Sequence, residues 1–346
     1  MYIQGIGIVS PWSGQGSEPL IKDEHFAILD PEYSKWIDLQ QIRRMSRVVK
    51  MGVASAHMSM EEAEINLPDA IITGTAYGCM ADTGFFLQKM VKQKEEMLAP
   101  TAFIQSTHNT LGGQIALKLS CYGYNNTFVH GNTSFESALL DTQFYLTENP
   151  DAKVITGSAD EITPISHNIL TRLRRYKRNP VPSSELLNTP TIGSMGGEGS
   201  AFFVFQAEKD NSSIAELKAM EMIFRKLNPE QCLSVILEFL KKNDLHPADL
   251  SLLMTGRNGD IRDDYQYELA ENSVFKNLPK AAFKHLCGEY PTSIAFGLGI
   301  AARAIQAGNL APEMLYSGIP PKEINKILIW NAHNNMRHSL VLLQKC

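Results

Sequence analysis

The chain has 346 residues, a formal net charge of -5 at pH 7 and a hydrophobic content of 44%. This length is sufficient for a large core or for two domains that share one, and the acidic balance argues against general nucleic-acid binding. No apolar run reaches the roughly 18 residues that indicate a membrane-spanning helix, so we expect no membrane span.

The cysteines and the N-terminus indicate a cytoplasmic protein. The chain opens directly into an apolar strand, without the basic and apolar regions of a signal peptide. The cysteines are scattered and have no CxxC spacing, which is typical of reduced thiols and predicts neither a disulfide framework nor a metal site. They are Cys79, Cys121, Cys232, Cys287 and Cys346. We also expect no cofactor.

Strands and helices alternate along the chain. Strands are predicted at 2–9, 68–73, 127–129 and 152–157, within 193–205, and at 250–255, 324–329 and 339–343. Helices are predicted at 41–63, from the turn at 74–78 through residue 94, at 101–119, after residue 132, and at 231–243, 263–271 and 290–308. Because the strands are apolar throughout, their sheets should be covered by helices on both faces. The sequence therefore predicts an α/β protein of two similar units, residues 1–207 and 208–346, the second shorter.

Residues 126–146 combine a strand, a sharp turn and the start of a helix. Residues 127–129 are predicted to form a short buried strand, which Gly131 ends. Thr133 and Glu136 have the spacing of a capping box, and apolar positions continue at helical spacing after them. This order is typical of a nucleophile elbow, whose turn exposes one side chain at the positive end of a helix dipole. Asn132 occupies the place where a cysteine would have its thiolate stabilised.

Five segments along the chain carry family-like motifs. They read, in chain order, YIQGIGIVSP, IRRMSRVVKMGVASA, TGTAYGCMADT, GSADEITP and GSMGGEGSAFFVF. Together they resemble the β-ketoacyl synthases, which have the thiolase-like fold. The resemblance covers essentially the whole chain and implies two stacked βαβαβαββ halves in αβαβα layers. Within the family, QSTHNTLGG and the altered motifs are similar to the incomplete synthases of aryl-polyene and flexirubin-type pigment clusters. Those proteins pair with a complete synthase, as chain-length factors do.

The family condenses acyl chains with malonyl-carrier protein by means of one cysteine and two histidines. The resemblance places the cysteine on Asn132, the first histidine near Thr255 and Gly256, and the second histidine on Glu289. All three chemical groups are therefore expected to be missing. An amide cannot hold an acyl chain as a thioester, and condensation also needs donors that stabilise an enolate.

Other parts of the family pattern persist in altered form. Lys284 and Gly288 remain from the segment that carries the second histidine, whereas the late glycine-rich turn at 332–337 has Asn334 and Asn335 in place of glycines. Glu289 would repel an incoming malonyl carboxylate. We favour a structural salt bridge between Lys284 and Glu289 over a catalytic role for either residue.

A different residue could still act as a nucleophile. Thr133 is better explained as a helix cap, and Ser134 as a first-turn residue whose hydroxyl meets the backbone. His130 could point into the cleft, although a hydrogen-bonded core histidine at the end of a strand is the simpler interpretation. Cys79 is interpreted as a small buried hydrophobe. Cys287, beside Gly288 and Glu289, lies nearer to the expected site.

Two polar segments suggest interactions with other proteins. His108 and Asn109 lie on the polar half of a helix that the resemblance places near the subunit interface, so we expect interface or packing roles for them. The basic run 172–178 could dock an acidic carrier protein or an acidic partner subunit. A solvated helix face followed by a loop explains the same run equally well.

These observations lead to one main hypothesis and two alternatives. The main hypothesis is a subunit that cannot condense by itself, pairs with an active ketosynthase as a heterodimer, and works with an acyl carrier protein. The alternatives are an acyltransferase or hydrolase that uses an unrecognised nucleophile, and a stand-alone protein that binds acyl groups or the carrier protein. A homodimer of this chain is kept as an alternative to the heterodimer. In either dimer we expect the strand at 127–129 to pair edge-to-edge with its counterpart, because an unpaired apolar edge favours aggregation.

Overall fold

The computed structural model describes residues 1–43 and 45–346. Arg44, which belongs to the predicted helix 41–63, lies outside the described residues. The strands of the described chain are β1 Tyr2–Val9, β2 Ile21–Lys22, β3 His25–Phe26, β4 Ala70–Gly74, β5 Tyr124–Phe128, β6 Val154–Asp160, β7 Gly199–Gln206, β8 Ala215–Phe224, β9 Leu252–Thr255, β10 Lys280–Ala282, β11 Leu315–Ser317, β12 Lys326–His333 and β13 Arg337–Gln344.

Helices lie between most of these strands. They are α1 Leu39–Ile42, α2 Arg47–Glu62, α3 Met80–Lys92, α4 Pro100–Gln105, α5 Thr110–Leu119, α6 Ser134–Glu148, α7 Pro164–Arg172, α8 Ser183–Leu186, α9 Pro229–Lys242, α10 Ile261–Asn272, α11 Lys284–Cys287 and α12 Ile294–Ala307.

Both halves of the chain build the same arrangement of five strands. In the first half the order is β1-β7-β6-β4-β5, and in the second half it is β8-β13-β12-β9-β10, with β11 added at the edge. In both halves the first two pairings are antiparallel and the next two are parallel. The sheets of the two halves meet where β1 pairs with β8. This pairing involves only two positions of each strand, and it connects both sheets into one continuous hydrogen-bonded array. The proposed division at 207/208 falls between β7 and β8.

Helices and sheets form five layers. The central layer contains α6 and α12, where Phe135 and Leu298 lie in one buried cluster with residues of both sheets. On the outer face of the first sheet, α2 packs through Val53 in a second cluster. On the outer face of the second sheet, α9 packs through Phe239 in a third. Alternate residues of each strand serve the two faces: Ile329 of β12 faces the central layer, while its neighbours lie in the outer cluster. The buried central helix after Asn132 is the arrangement that the sequence predicts.

Three predicted helices have other bounds. The helix at 41–63 is two helices, α1 and α2. The helix at 101–119 is also two. Between them the hydroxyls of Thr107 and Thr110 donate to the Ile104 carbonyl at 2.9 and 2.8 Å, and such side-chain bonds compete with those of a continuous helix. The helix at 290–308 begins at Ile294, since the backbone of Glu289 is held by Met195 in an extended segment.

Five strands of the described chain were not predicted, namely β2, β3, β8, β10 and β11, and one was misjudged. β8 and β10 have no clear signal in the sequence, since β8 is mixed polar and apolar and β10 has three residues. The strand at 127–129 was expected to be buried. It is the edge strand β5, shifted to Tyr124–Phe128, and it is half-exposed or exposed along its length.

Candidate functional site

The elbow joins the edge strand β5 to the central helix α6. Gly131 has φ of 61°, a left-handed conformation that suits glycine. Gly131–Thr133 form one turn of 3-10 helix before α6 begins at Ser134. Asn132 is half-exposed, and its Oδ1 accepts a hydrogen bond of 3.3 Å from Arg337 Nη1. A guanidinium from β13 therefore holds the amide at the elbow.

The predicted capping box between Thr133 and Glu136 is wrong. Thr133 Oγ1 donates to the His130 carbonyl at 3.1 Å, and its side chain does not cap α6. Glu136 turns into the central layer, where it is fully buried and accepts a hydrogen bond from Ser339 Oγ. Burial raises the pKa of Glu136 to about 7, although the bond from Ser339 opposes the rise. Tertiary packing against β13 outweighs the local cap.

The hydroxyl of Ser134 is tied to the backbone of the elbow. Its Oγ donates to the Gly131 carbonyl at 2.8 Å and accepts from the His130 amide at 2.9 Å. Ser134 is fully buried. These contacts hold the turn together. Among the described residues, Ser134 Oγ makes no hydrogen bond with an imidazole.

His130 is not a core residue. It is exposed at the end of β5, its ring lies edge-on to Phe128 with centroids 5.7 Å apart, and its Nδ1 lies 2.9 Å from Ser137 Oγ. The expected core position is wrong, because β5 is an edge strand. The expected hydrogen bond is present, and the alternative of a histidine that points into the cleft stays a prediction.

Lys284 and Glu289 form a buried ion pair. Lys284 Nζ lies 2.8 Å from Glu289 Oε2, and the two side chains are 1% and 10% exposed. Asn258 Nδ2 donates to the same oxygen at 2.7 Å, and His333 Nδ1 lies 3.6 Å from Oε1. Burial by itself raises the pKa of Glu289, but Lys284, His333 and Asn258 together lower it to about 2. Glu289 is therefore ionised and satisfied at neutral pH.

Three members of this cluster escaped the sequence analysis. Asn258, Asp263 and His333 were not singled out as partners of Glu289. Burial first, and then the charge of Glu289, raise the pKa of Asp263, so this carboxyl faces the same cluster. His333 ends β12, which pairs in parallel with β9, the strand that leads to Asn258. A histidine directly before two asparagines carries no local signal for this position.

Polar side chains surround Thr255 and Gly256, the positions near which the resemblance places the first histidine. Thr255 Oγ1 lies 3.1 Å from Tyr316 Oη, which donates to Glu271 Oε1 at 2.6 Å. A Cβ atom on Gly256 would collide with Oδ1 of Asn331, an oxygen that is buried without a hydrogen-bond partner. Polar side chains of β12 and the strand edge thus fill the space.

Asn334 and Asn335 form the turn between β12 and β13. Both have φ of 52°, a left-handed conformation that asparagine tolerates better than other non-glycine residues. Asn334 Oδ1 accepts from Arg175 Nη1, and Asn335 Nδ2 donates to Tyr265 Oη at 2.7 Å. The two asparagines can therefore replace glycines without a change of backbone, and the turn delivers Arg337 to the elbow.

Neither cysteine near the site is activated. Cys287 is fully buried, and burial raises the pKa of its thiol well above 9.0. Burial also raises the pKa of Cys79 to about 12. Both groups are neutral thiols at physiological pH, whereas nucleophilic attack needs the thiolate.

The basic run is not a uniform solvated face. Arg172, Arg174 and Arg178 are exposed, but Lys177 is buried and its Nζ donates to the Gly259 carbonyl at 3.1 Å. Through its contact with Asn334, Arg175 connects the run to the turn above the elbow. His108 and Asn109 are exposed at the start of α5.

Two further findings concern the chain outside the candidate site. A cavity of about 460 Å³ lies between the end of β1 and α12, and its lining, which includes Trp12 and Phe296, shares no residue with the elbow or the Glu289 cluster. Within residues 1–43 and 45–346, no helix is long and apolar enough to cross a membrane.

The five layers and the repeated strand order define the fold of the thiolase-like ketosynthases. A chain of the ishigamide ketosynthase/chain length factor has a TM-score of 0.79 and 16% identity, with coverage of 100% of this chain and 98% of that chain. A β-ketoacyl synthase from Burkholderia phymatum has a TM-score of 0.79 and 13% identity, with coverage of 100% and 99%. A ketosynthase in complex with its chain length factor from Xenorhabdus doucetiae has a TM-score of 0.77 and 15% identity, with coverage of 100% and 98%.

A family model also matches part of the sequence. The model of the β-ketoacyl synthase N-terminal domain matches residues 16–182, a segment that contains the elbow. No curated protein matches the chain significantly. The predicted resemblance to the β-ketoacyl synthases and the predicted thiolase-like fold are both confirmed.

Proposed function

We propose that this protein is a ketosynthase-like subunit that cannot condense by itself and acts, as a chain-length factor does, beside an active ketosynthase. The proposal rests on which residues occupy the expected active site. An amide held by Arg337 stands at the elbow, and an ion-paired carboxylate stands where the second histidine is expected. Two relatives by fold are ketosynthases with a chain length factor, which supports the same role here.

The chemistry of condensation supports this reading. The acyl chain must be held as a thioester and the enolate must be stabilised by preorganised donors. Asn132 forms no thioester, and Glu289 presents negative charge to an incoming malonyl carboxylate. His333 contributes an imidazole from a different position, but it lies beside the Glu289 carboxylate. The site therefore favours a structural role over condensation.

The surface around β5 supports pairing with a second subunit. β5 has a neighbour on one side only, and α5 and α6 pack against it. Large apolar side chains are exposed on and beside these elements, with Tyr122 at 93%, Leu117 at 70% and Phe144 at 60%. Patches of this kind mark interaction sites. We propose that a ketosynthase binds here and continues the sheet, and that an obligate interface of more than about 2,000 Å² results.

The exposed arginines support docking of a carrier protein. Arg172, Arg174 and Arg178 form a basic patch on a chain with net charge -5. Arg175 contacts Asn334 in the β12–β13 turn, which also carries Arg337 to the elbow, so an acidic carrier protein bound there would lie close to the elbow. The five free cysteines support work in a reducing compartment such as the cytoplasm.

Co-expression with a complete ketosynthase from the same genome tests the proposal. We expect a stable heterodimer on size-exclusion chromatography with light scattering, elongation of acyl-carrier protein by the pair, and none by this subunit alone. Intact-protein mass spectrometry of the subunit with acyl-carrier protein should show no covalent adduct. Condensation by the isolated subunit would overturn the proposal, and an adduct on this chain would favour the acyltransferase or hydrolase alternative.

A further inference from the structure

Two histidines that are distant in sequence lie side by side where the β2–β3 hairpin meets α7. His25 lies in β3, and His167 lies in α7. Their ring centroids are 5.7 Å apart and the ring planes are tilted by 45°. His167 is only 8% exposed. The hairpin of β2 and β3 and the helix α7 therefore meet through two imidazoles.

A hydrogen bond to the backbone fixes the proton of the His25 ring. His25 Nδ1 lies 3.0 Å from the Asp23 carbonyl oxygen, which can only accept, so Nδ1 donates and Nε2 keeps its lone pair. The Nε2 atom of His167 is buried and has no hydrogen-bond partner among the described residues.

His25 has the arrangement that metal-binding histidines adopt. A ligating imidazole usually donates its second ring N–H to a carbonyl or carboxylate, which fixes the tautomer and the ring orientation. Neutral imidazole is a preferred ligand of zinc, copper and nickel. A buried imidazole nitrogen without a partner is costly, and an ion would satisfy it.

We propose that His25 and His167 bind one divalent late transition-metal ion through their Nε2 atoms. Among the described residues no group of three or more histidine, cysteine, aspartate or glutamate side chains forms a metal site. The protein thus supplies two ligands, and water completes the coordination. The exposed Glu24 carboxylate lies close enough to His167 to act on it electrostatically, and it favours a cation there.

Bound metal would fasten the hairpin to the helix beneath the Glu289 cluster. The Phe26 amide, next to His25, donates to the Gly196 carbonyl at 2.9 Å. The ring of His167 lies 5.6 Å from that of Tyr176, whose hydroxyl donates to the Glu289 carbonyl at 3.1 Å. Ion binding should therefore stabilise the folded chain, because the ion binds the folded state and the unfolded chain does not hold the two rings together.

The test uses the full-length protein with any polyhistidine tag removed. Zn²⁺ is titrated by isothermal calorimetry and by thermal unfolding, and Cu²⁺ is added for electron paramagnetic resonance. We expect one ion per chain, a rise of Tm with Zn²⁺, and a Cu²⁺ spectrum with hyperfine structure from two nitrogen ligands. His25→Gln and His167→Gln should each lower Zn²⁺ affinity at least about tenfold, since even loss of a supporting partner costs this much.

His246→Gln is the matched control, because His246 is exposed and lies in a different part of the chain. It should leave affinity and the Tm rise unchanged. Because His167 is buried, His25→Gln in the hairpin decides the outcome if His167→Gln fails to fold. The absence of saturable binding, equal affinity in the His25→Gln variant, or a spectrum with one nitrogen ligand would overturn the proposal. None of these outcomes bears on pairing with a ketosynthase.

Discussion

Lys284 Nζ lies 2.8 Å from Glu289 Oε2, and the proposed function places this pair where a condensing enzyme would admit a malonyl group. The pair is buried, and Asn258 and His333 complete its surroundings. Breaking a buried pair leaves one charge uncompensated, whereas replacing both partners by apolar residues of similar size is often neutral or stabilising. The first prediction follows from this asymmetry.

Glu289→Gln should lower the free energy of unfolding by about 3–5 kcal/mol, because Lys284 would be buried without a counterion. The folded-state pKa of Glu289, about 2, lies below the ordinary value of 4.5. The stabilisation is therefore present above pH 4.5 and is lost as the pH falls towards 2. Urea unfolding between pH 2 and 7 measures it. The double variant Lys284→Met, Glu289→Leu should be near wild-type stability, and equal stability of Glu289→Gln and wild type would contradict the prediction.

Glu136 should destabilise the protein as the pH rises, whereas the contribution of Glu289 is lost as the pH falls. Its pKa is raised from 4.5 to about 7, chiefly by burial, so the folded state holds this proton more tightly than the unfolded state does. Its contribution is complete below pH 4.5 and is lost as the pH rises through 7, a fall of about 3 kcal/mol. Glu136→Gln should remove this share of the fall and stabilise the protein at pH 8. Unfolding curves at pH 5 and pH 8 test this, and an unchanged difference between them would refute it.

Asn132→Cys should create a reactive thiol. Arg337 and the N-terminus of α6 both stabilise a thiolate at the elbow, while the native cysteines are buried apart from the half-exposed Cys346. In a Cys346→Ser background we expect alkylation by iodoacetamide with a pKa below the ordinary thiol value, and some acylation from acyl-carrier protein. Adding Arg337→Ala should raise that pKa. Condensation should still fail without the enolate-stabilising histidines, and its recovery by Asn132→Cys alone would show that the site was misassigned.

Val129→Arg should weaken binding of the partner ketosynthase with little effect on the fold. Val129 follows the edge strand β5 and is 41% exposed, so an arginine there places a charge in the proposed interface. Light scattering and thermal unfolding separate the two effects. Ile319→Arg is the matched control, since Ile319 is 83% exposed and lies beside β11 at the opposite edge of the sheet. Equal loss of pairing in both variants would argue against the β5 interface.

The sequence predicted the features that have a period or a local break. The alternation of strands and helices and the apolar spacing after Asn132 gave the layers, because burial on both faces leaves a direct pattern. β8 was missed because its polar residues hide its pairing with β13. The capping box failed because Glu136 has a stronger partner, Ser339, in the other half of the chain. No local rule contains that contact.

The candidate site also contains both contacts that the sequence could predict and contacts that it could not. Lys284 and Glu289 are close in sequence, so a salt bridge between them could be expected. His333 and Arg337 reach the site through the β12–β13 hairpin, and their contacts with Glu289 and Asn132 depend on the register of strands far apart in the chain. A pattern of residue types cannot supply that register.

Gly256 limits which side chains its position can hold. A Cβ atom on Gly256 would collide with Asn331 Oδ1 on the adjacent strand, so any larger residue there requires Asn331 to shift or to change. Gly256 also lies near the place where the resemblance puts the first histidine of a condensing enzyme. The proposed function therefore implies that an imidazole could enter this position only together with a rearrangement at Asn331, so that two residues and not one decide whether it fits.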